Sequence, residues 1–496
     1  MTTHPSSPAA PTSWNLHTDS GLTVCVPGRL TSLTTFVLLE QERWFESEFN
    51  FVARLLEPHT TALDIGANHG VYTLLMASCL RDGHVWAFEP TTEPRQRLQQ
   101  SVRENRFESR VSVLPIGLSD RARSAEFSIC DESELNSLHT TAAVAVARME
   151  TVQLDTLDAV LARHVPHTNI DFIKLDAEGE EAAILIGGAD FLSRQSPLIM
   201  FEFKHAETVN WSLLQRFEAL GYELFRLLPE LGLLAPFDPG QPGQEFLLNL
   251  FACKPDRQQT LAARSLLARQ EDLCSGPIDL SPAEESATLE ALARLPFAAV
   301  LATPLPSGPN KHYRSALACA AAAHLGAPRG AAERLRLLRR AWAHLHHEPA
   351  TLGVGLASRL LQVHLLHGLG EQAGAVTKAC ELLQAWPTAG TITELFMPPL
   401  VADLERARHG EPAAWAQQLL AEFVETRRAY SSYFRPSDSA MLRQMLSHPD
   451  HSAEVERRYV LNEIRNARSV EPALLSRLPD AAHTRNAPLW RAVLAA

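Results

Sequence analysis

The chain has 496 residues, 46% hydrophobic and 21% charged, with a formal net charge of −12. That is enough apolar material for the cores of two or three domains, and it excludes the fibrous and intrinsically disordered classes. The negative charge is concentrated early, with 20 Lys and Arg against 34 Asp and Glu through Arg257 and 25 against 23 beyond it. Nucleic acid is therefore not expected as a partner, because the phosphate attraction that dominates such binding would become repulsion.

From the N-terminus, Met1 to Trp14 is rich in Ser, Pro, Thr and Ala, and residues 1–20 read as a flexible segment with neither a basic n-region nor an apolar core. No apolar run approaches the length of a membrane span, so a cytoplasmic protein without membrane insertion is expected. Seven scattered cysteines with no C-x-x-C pair are expected as reduced thiols. Leu38, Leu39, Trp44, Phe45, Phe49, Phe51 and Val52 recur at helical spacing, predicting a helix that covers a sheet with Glu40, Glu42, Glu46 and Glu48 mostly on its wet side. Strands are predicted near 61–65, 84–89, 111–117, 170–175, 198–203, 222–227 and 246–253, and helices over 71–80, 93–105, 180–187 and 209–220. Alternation of short apolar strands with helices marks an α/β fold with a largely parallel sheet. The wider interval 118–150 interrupts it, and Ala125–Cys130 reads as a hairpin strand in an insertion that roofs the crevice.

Three motifs carry the chemistry. In Asp64-Ile65-Gly66-Ala67-Asn68-His69-Gly70, glycines let the backbone approach a ligand, and an acid closes the strand. A dinucleotide fingerprint would need G-x-G-x-x-G. The acid at the first turn, which would repel a pyrophosphate, suits S-adenosylmethionine instead; His69 reads as a variable position facing solvent. Glu89, nineteen residues beyond Gly70 at the end of the second strand, is placed to take ribose hydroxyls. In Asp171-Phe-Ile-Lys-Leu-Asp-Ala-Glu-Gly179, Asp176 and Glu178 are delivered where a buried strand ends, and Lys174 needs a partner in Asp176 or Glu202.

These motifs, with Val152-Gln-Leu-Asp-Thr-Leu157, Glu181, Gly187-Gly-Ala189 and Glu202, resemble the FkbM-type family of S-adenosylmethionine-dependent methyltransferases over about residues 36–255. The resemblance implies a Rossmann-like class I methyltransferase domain with a seven-stranded, mostly parallel sheet. The family usually methylates a hydroxyl of a sugar, glycan or polyketide. Cofactor contacts are expected at Asp64, Gly66, Asn68, Gly70, Tyr72, Thr73 and Glu89. Ser119 and Asp120, just past the third strand, either flank the adenine or shape a turn. Asn136-Ser137-Leu138 are read either as contacts to cofactor or acceptor or as ordinary loop. Two departures bear on the acceptor: Ala177 stands where Val or Ile is common, and Glu180-Glu181 adds an acid.

An alcohol acceptor must lose its proton as the methyl arrives, and Asp176, Glu178 and His205 are the candidate bases. Each has a structural rival: Asp176 holding Lys174, Glu178 capping the next helix, His205 as an exposed strand-end residue. No metal is assigned, although Asp176, Glu178 and Glu202 have the hard oxygens that Mg²⁺ prefers.

The methyltransferase domain is expected over 21–257 and a linker over 258–280. Ser281-Pro-Ala-Glu284 then announces an all-α domain to 496 with a capping box. Leu317, Leu325, Gly326, Ala331, Leu338, Ala341 and Trp342 match Leu361, Leu369, Gly370, Ala375, Leu382, Ala385 and Trp386 at an offset of 44, with a weaker third copy near Gly410 and Trp415. Such helical hairpins weakly resemble a tetratricopeptide-like array, the alternative being an irregular bundle. Its histidines, His324, His344, His346, His347, His364 and His367, lack accompanying acids or cysteines and read as solvated helix-end residues. The expected activity is O-methylation of a small-molecule or glycan acceptor, the helical domain serving a protein partner or self-association. The alternatives are a cofactor-holding scaffold with little catalysis and an NAD-dependent oxidoreductase.

Overall fold

The computed structural model describes residues 13–495 apart from 131–145, 206–207, 210, 241–246, 277, 299–310, 327, 347–354, 387–391, 393, 407–409, 436–438 and 482. Asn136–Leu138 and His347 lie outside the described residues, as do the side chains of Lys204 and His205. Contacts divide the chain into one compact unit of Met1–Arg216 with Glu456–Ala496 and a second of Phe217–Val455. The division differs from the expected boundary near 257–281, since strands 222–227 and 246–253 fall with the helices and the last forty residues with the methyltransferase motifs.

In the first unit five parallel strands stand in the order Leu198–Glu202, Phe172–Leu175, Thr61–Ile65, His84–Phe88, Val111–Leu114. Strand 61–65 is buried throughout, which its run of apolar residues requires. Succession along the chain runs outward to one side from 61–65 and then resumes on its other side at 172–175. The crevice of a parallel α/β sheet opens at the carboxyl ends at such a reversal. Asp64 is paired in register with Ala87 and Lys174, so the first and third motifs are neighbours. Helices Val71–Cys79, Thr92–Glu104 and Glu181–Gly187 follow their strands closely to prediction. Arg123–Cys130 is the expected hairpin strand, antiparallel to Val146–Asp155.

The N-terminal part departs from expectation. Ser13–His17 is not flexible but forms an antiparallel pair with Thr23–Pro27. The single covering helix is two, Leu33–Gln41 and Glu48–Leu55. Glu40, Glu42 and Glu48 are buried rather than wet, Glu40 at 0% exposure. The C-terminal segment explains two of them. Arg458 lies 3.6 Å from the Glu40 carboxylate, and the Glu42 carboxylate accepts from the Thr484 hydroxyl at 2.6 Å and the Arg485 N–H at 2.8 Å. Asn486 bonds both the N–H and the carbonyl of His17.

In the second unit Glu223–Leu228 is antiparallel to Asn249–Cys253 and to an unpredicted strand, Leu233–Pro236. The expected linker contains helices Pro255–Ala263 and Gln270–Leu273. The capping box forms, with Ser281 Oγ accepting from the Glu284 N–H at 3.3 Å and the Glu284 carboxylate accepting from the Ser281 N–H at 2.8 Å. Helices Lys311–Ala322 with Ala331–His346 and Leu356–Gly368 with Gln372–Gln384 make successive pairs. Gly326 and Gly370, equivalent at the offset of 44, both have positive φ, at 89° and 82°. His324, His364 and His367 are not solvated: their rings are held within the helical core. His364 bonds the Pro398 carbonyl at 2.9 Å, and His367 lies 3.3 Å from Glu230. All seven cysteines are free thiols, and no helix among the described residues is long and apolar enough to cross a membrane.

Candidate cofactor and active site

A cavity of about 1020 Å³, partly continuous with solvent, opens at the carboxyl ends of strands 61–65, 84–88 and 172–175. Asp64, Gly66, Asn68, Gly70, Tyr72, Glu89, Asp176 and Glu178 line it, while the roof is apolar through Phe88, Leu118, Phe127 and Leu154. The hairpin strand 123–130 and its partner supply Phe127 and Leu154.

Asp64 is fully buried; its Oδ2 accepts from the Thr73 hydroxyl at 2.5 Å, and its Oδ1 has no hydrogen-bond partner among the described residues. Burial pushes this carboxyl up, opposed by the charge of Lys174. An acid in such a place lacks a donor that a ligand would supply. Glu89 is likewise buried, its Oε2 accepting from the Asn68 N–H at 2.9 Å and its Oε1 from the Thr91 N–H at 2.8 Å. Oε1 also accepts from the Thr91 hydroxyl, so it is Oε2 that keeps capacity for a further donor such as a ribose hydroxyl. Asn68 adopts φ 46°, a left-handed conformation in which its N–H meets Glu89.

The glycines of this turn also meet a packing requirement that the sequence does not show. A Cβ on Gly66, at φ 78°, would lie 1.7 Å from the Asp176 carbonyl oxygen, and one on Gly70 would lie 2.2 Å from Leu98. They are required by the neighbouring strand end and by helix 92–104. His69 is 2% exposed and lines the cavity instead of facing solvent; burial, with Arg97 and Arg29, holds its imidazole down to about 3, so it is neutral.

Lys174 finds the first of its two expected partners: Nζ donates to Asp176 Oδ2 at 2.8 Å. Asp176, Asp64 and Glu46 all act to hold the ammonium charged against burial. Glu178 sits at φ 49° on the turn, where it lines the cavity. It is Glu181 that secures this turn, accepting from the Ala177 N–H at 2.9 Å and the Gly179 N–H at 3.2 Å. Burial and the charges of Asp176, Glu178 and Glu181 push Glu202 up to about 10. Among the described residues no group of three His, Cys, Asp or Glu is arranged to hold a metal ion, Asp176, Glu178 and Glu202 included.

Ser119 and Asp120 are not on the cavity wall, which is formed there by Gly117 and Leu118. Ser119 Oγ donates to Glu180 at 2.6 Å, and Arg123 reaches Asp120 at 2.9 Å. His205 belongs to a short antiparallel pair with Thr208, beyond strand 198–202. Sequence reading missed Thr34, Trp44 and Glu46 on the wall. Glu46 accepts from the Tyr72 hydroxyl at 2.5 Å. A signal existed: acids at 40, 42, 46 and 48 cannot share one wet helical face, since 40 and 42 project about 200° apart.

Residues 64–224 match the family model described as the methyltransferase FkbM domain. Among curated proteins, the AMB antimetabolite synthetase AmbE of Pseudomonas aeruginosa is 36% identical over 87 residues, or 18% of this chain. The chain thus spans 4% of that protein's length. Among solved structures, the methyltransferase FkbM from Methylobacillus flagellatus is similar with a TM-score of 0.28 and 17% identity, over 40% of this chain and 44% of that one. An O-methyltransferase from Bacillus cereus in complex with SAH matches with a TM-score of 0.25 and 14% identity, over 42% and 81%. Over residues 64–224 the chain carries a methyltransferase FkbM domain.

Proposed function

We propose that the chain is an S-adenosylmethionine-dependent methyltransferase whose acceptor is a hydroxyl on a sugar, a glycan or a related small molecule. The observation that carries the reading is Asp64 Oδ1, buried and without a hydrogen-bond donor among the described residues, at the carboxyl end of the central strand inside a cavity that Glu89 flanks. Asp64 and Glu89 would hold the cofactor's polar groups, with Phe88 and Leu118 beside its base. Bound there, the cofactor supplies a methyl group already activated on a sulfonium. The remaining work falls to the chain: aligning the acceptor oxygen, excluding water beneath the apolar roof, and removing one proton. Asp176 and Glu178 both face the cavity at the end of strand 172–175, and Asp176 is fixed in orientation by Lys174. Asp176 is the base in this reading, since its Oδ1 is left for the hydroxyl proton. A hydroxyl acceptor is supported by the family resemblance. The helical hairpins of the second unit would then serve docking or self-association.

The test is calorimetric titration of the full chain with S-adenosylhomocysteine, alongside Asp64→Ala and Glu89→Ala. Micromolar binding, weakened at least about tenfold in each variant, is expected from loss of a hydrogen bond to a charged group. A folded wild-type chain that binds NADH but not S-adenosylhomocysteine would sink the proposal. With binding established, Asp176→Asn should abolish methyl transfer to a sugar acceptor without changing that affinity.

A further inference from the structure

Part of the cavity wall comes from outside the matched domain. Trp44 and Glu46 reach it from residues 42–47, the irregular connection between helices Leu33–Gln41 and Glu48–Leu55. Glu46 is built into that wall: its carboxylate accepts from the Tyr72 hydroxyl, and it acts on the same Lys174 ammonium as Asp64. The connection starts at Glu42, whose φ of 59° is left-handed. A residue with a side chain keeps that conformation only where its surroundings impose it.

Those surroundings include the far end of the chain, which belongs to the same compact unit. The Glu42 carboxylate accepts from the Thr484 hydroxyl at 2.6 Å and the Arg485 N–H at 2.8 Å, with a guanidinium nitrogen of Arg457 at 3.8 Å. Arg457 also donates to the Glu40 carbonyl at 2.7 Å. Glu42 is 8% exposed and Thr484 3%, so water competes poorly for these bonds. Glu42 thus stands between a C-terminal anchor and a cavity wall. A change in its φ re-aims the residues that follow it. We propose that the C-terminal segment Glu456–Ala496 is a strap on the ligand cavity, with Thr484 and Glu42 as positioning residues. Docked, it keeps Glu42 left-handed and Trp44 and Glu46 on the wall; detached, it lets Glu42 relax to negative φ and withdraws both. Ligand binding and strap docking are then coupled, and the coupling is reciprocal: a ligand resting on that wall favours the docked strap, and whatever detaches the strap weakens the ligand. The inference rests on the cofactor reading above, and the strap lies outside residues 64–224 of the family match.

The experiment is calorimetric titration of the full chain with S-adenosylhomocysteine, at a temperature where circular dichroism shows every variant folded. Thr484→Val keeps the shape and removes the donor; Thr484→Ser keeps the donor. Asn105→Ala is the control, breaking the tie of its side chain to the Thr23 N–H and carbonyl in the same unit without touching Glu42. Thr484→Val should weaken binding at least about fivefold, because only the docked fraction binds well, while Thr484→Ser and Asn105→Ala should stay within about twofold of the wild type. Should Thr484→Val fail to fold, Glu42→Gln, which keeps an acceptor oxygen but gives up the charge, decides by the same loss. A folded Thr484→Val that melts lower but binds like the wild type would overturn the proposal and leave the cofactor site standing, since the anchor would then be merely structural. Equal weakening in Thr484→Ser or in Asn105→Ala would overturn it as well. A wild type that does not bind S-adenosylhomocysteine would overturn the cofactor reading and this inference together.

Discussion

Gly66 separates two physical readings of the same turn. If its missing side chain makes room for a ligand, Gly66→Ala should cost affinity and leave stability alone. The structure predicts the reverse order of effects. Alanine at φ 78° takes a left-handed conformation costing about 1–2 kcal/mol. Its Cβ would also lie 1.7 Å from the Asp176 carbonyl oxygen and 2.8 Å from its carbonyl carbon, all of it backbone. The strand ends must therefore separate by more than 1 Å, at the point where Asp176 N–H donates to the Ile65 carbonyl at 3.1 Å. Overpacking of this kind adds roughly 1–3 kcal/mol, for a total of about 2–5 kcal/mol. In a unit of this size each kcal/mol lowers Tm by about 2–4 °C, so a fall of roughly 4–20 °C is expected. Gly21→Ala is the internal control: it has φ 81° in the same unit but nothing within 4 Å of the added Cβ. Thermal melts of both variants without ligand make the comparison. Equal Tm for the two would refute the strand-contact argument and restore the ligand-approach reading.

Acid should weaken the second unit through its buried histidines. His324 is held down to about 3 by burial and by His364, and His364 and His367 are lowered as well. A histidine whose folded value lies below its unfolded value near 6.5 destabilises the fold as pH falls below 6.5. Glu230, held near 2 by His367 and the Val401 N–H, acts the same way at lower pH, whereas Asp403, raised to about 6, opposes them. Between pH 6.5 and 5 His324 alone should remove roughly 2 kcal/mol, so urea midpoints for His324→Leu should depend less steeply on pH than the wild type; parallel profiles would count against it. Glu42→Ala should release the C-terminal segment, because the Thr484 hydroxyl, the Arg485 N–H and the nearby Arg457 lose their carboxylate. The expected cost is about 2–4 kcal/mol, with faster tryptic cleavage at Arg477 and Arg485; unchanged cleavage would show that Glu40 and Asn486 suffice.

The sequence by itself determined the alternation of strands and helices, and with it the parallel α/β core. Short apolar runs such as Thr61–Ile65 and Phe172–Leu175 have few ways to be buried other than in a sheet covered on both faces. It also located Asp64, Glu89 and Asp176 at strand ends, since that depends on local spacing, and the Ser281 capping box, which is local by nature. Only the tertiary structure decided which partner each long-range charge finds. That Glu40 and Glu42 are buried against residues more than four hundred positions away, or that Glu46 belongs to the cavity wall, follows from no periodicity. The same holds for Gly66 and Gly70: the sequence marks positions with room for positive φ, but only the fold shows that Asp176 and Leu98 occupy the space a side chain would need. Local patterns fix conformation through the chain's own short-range sterics, whereas the burial of a charge depends on what the rest of the chain brings to meet it.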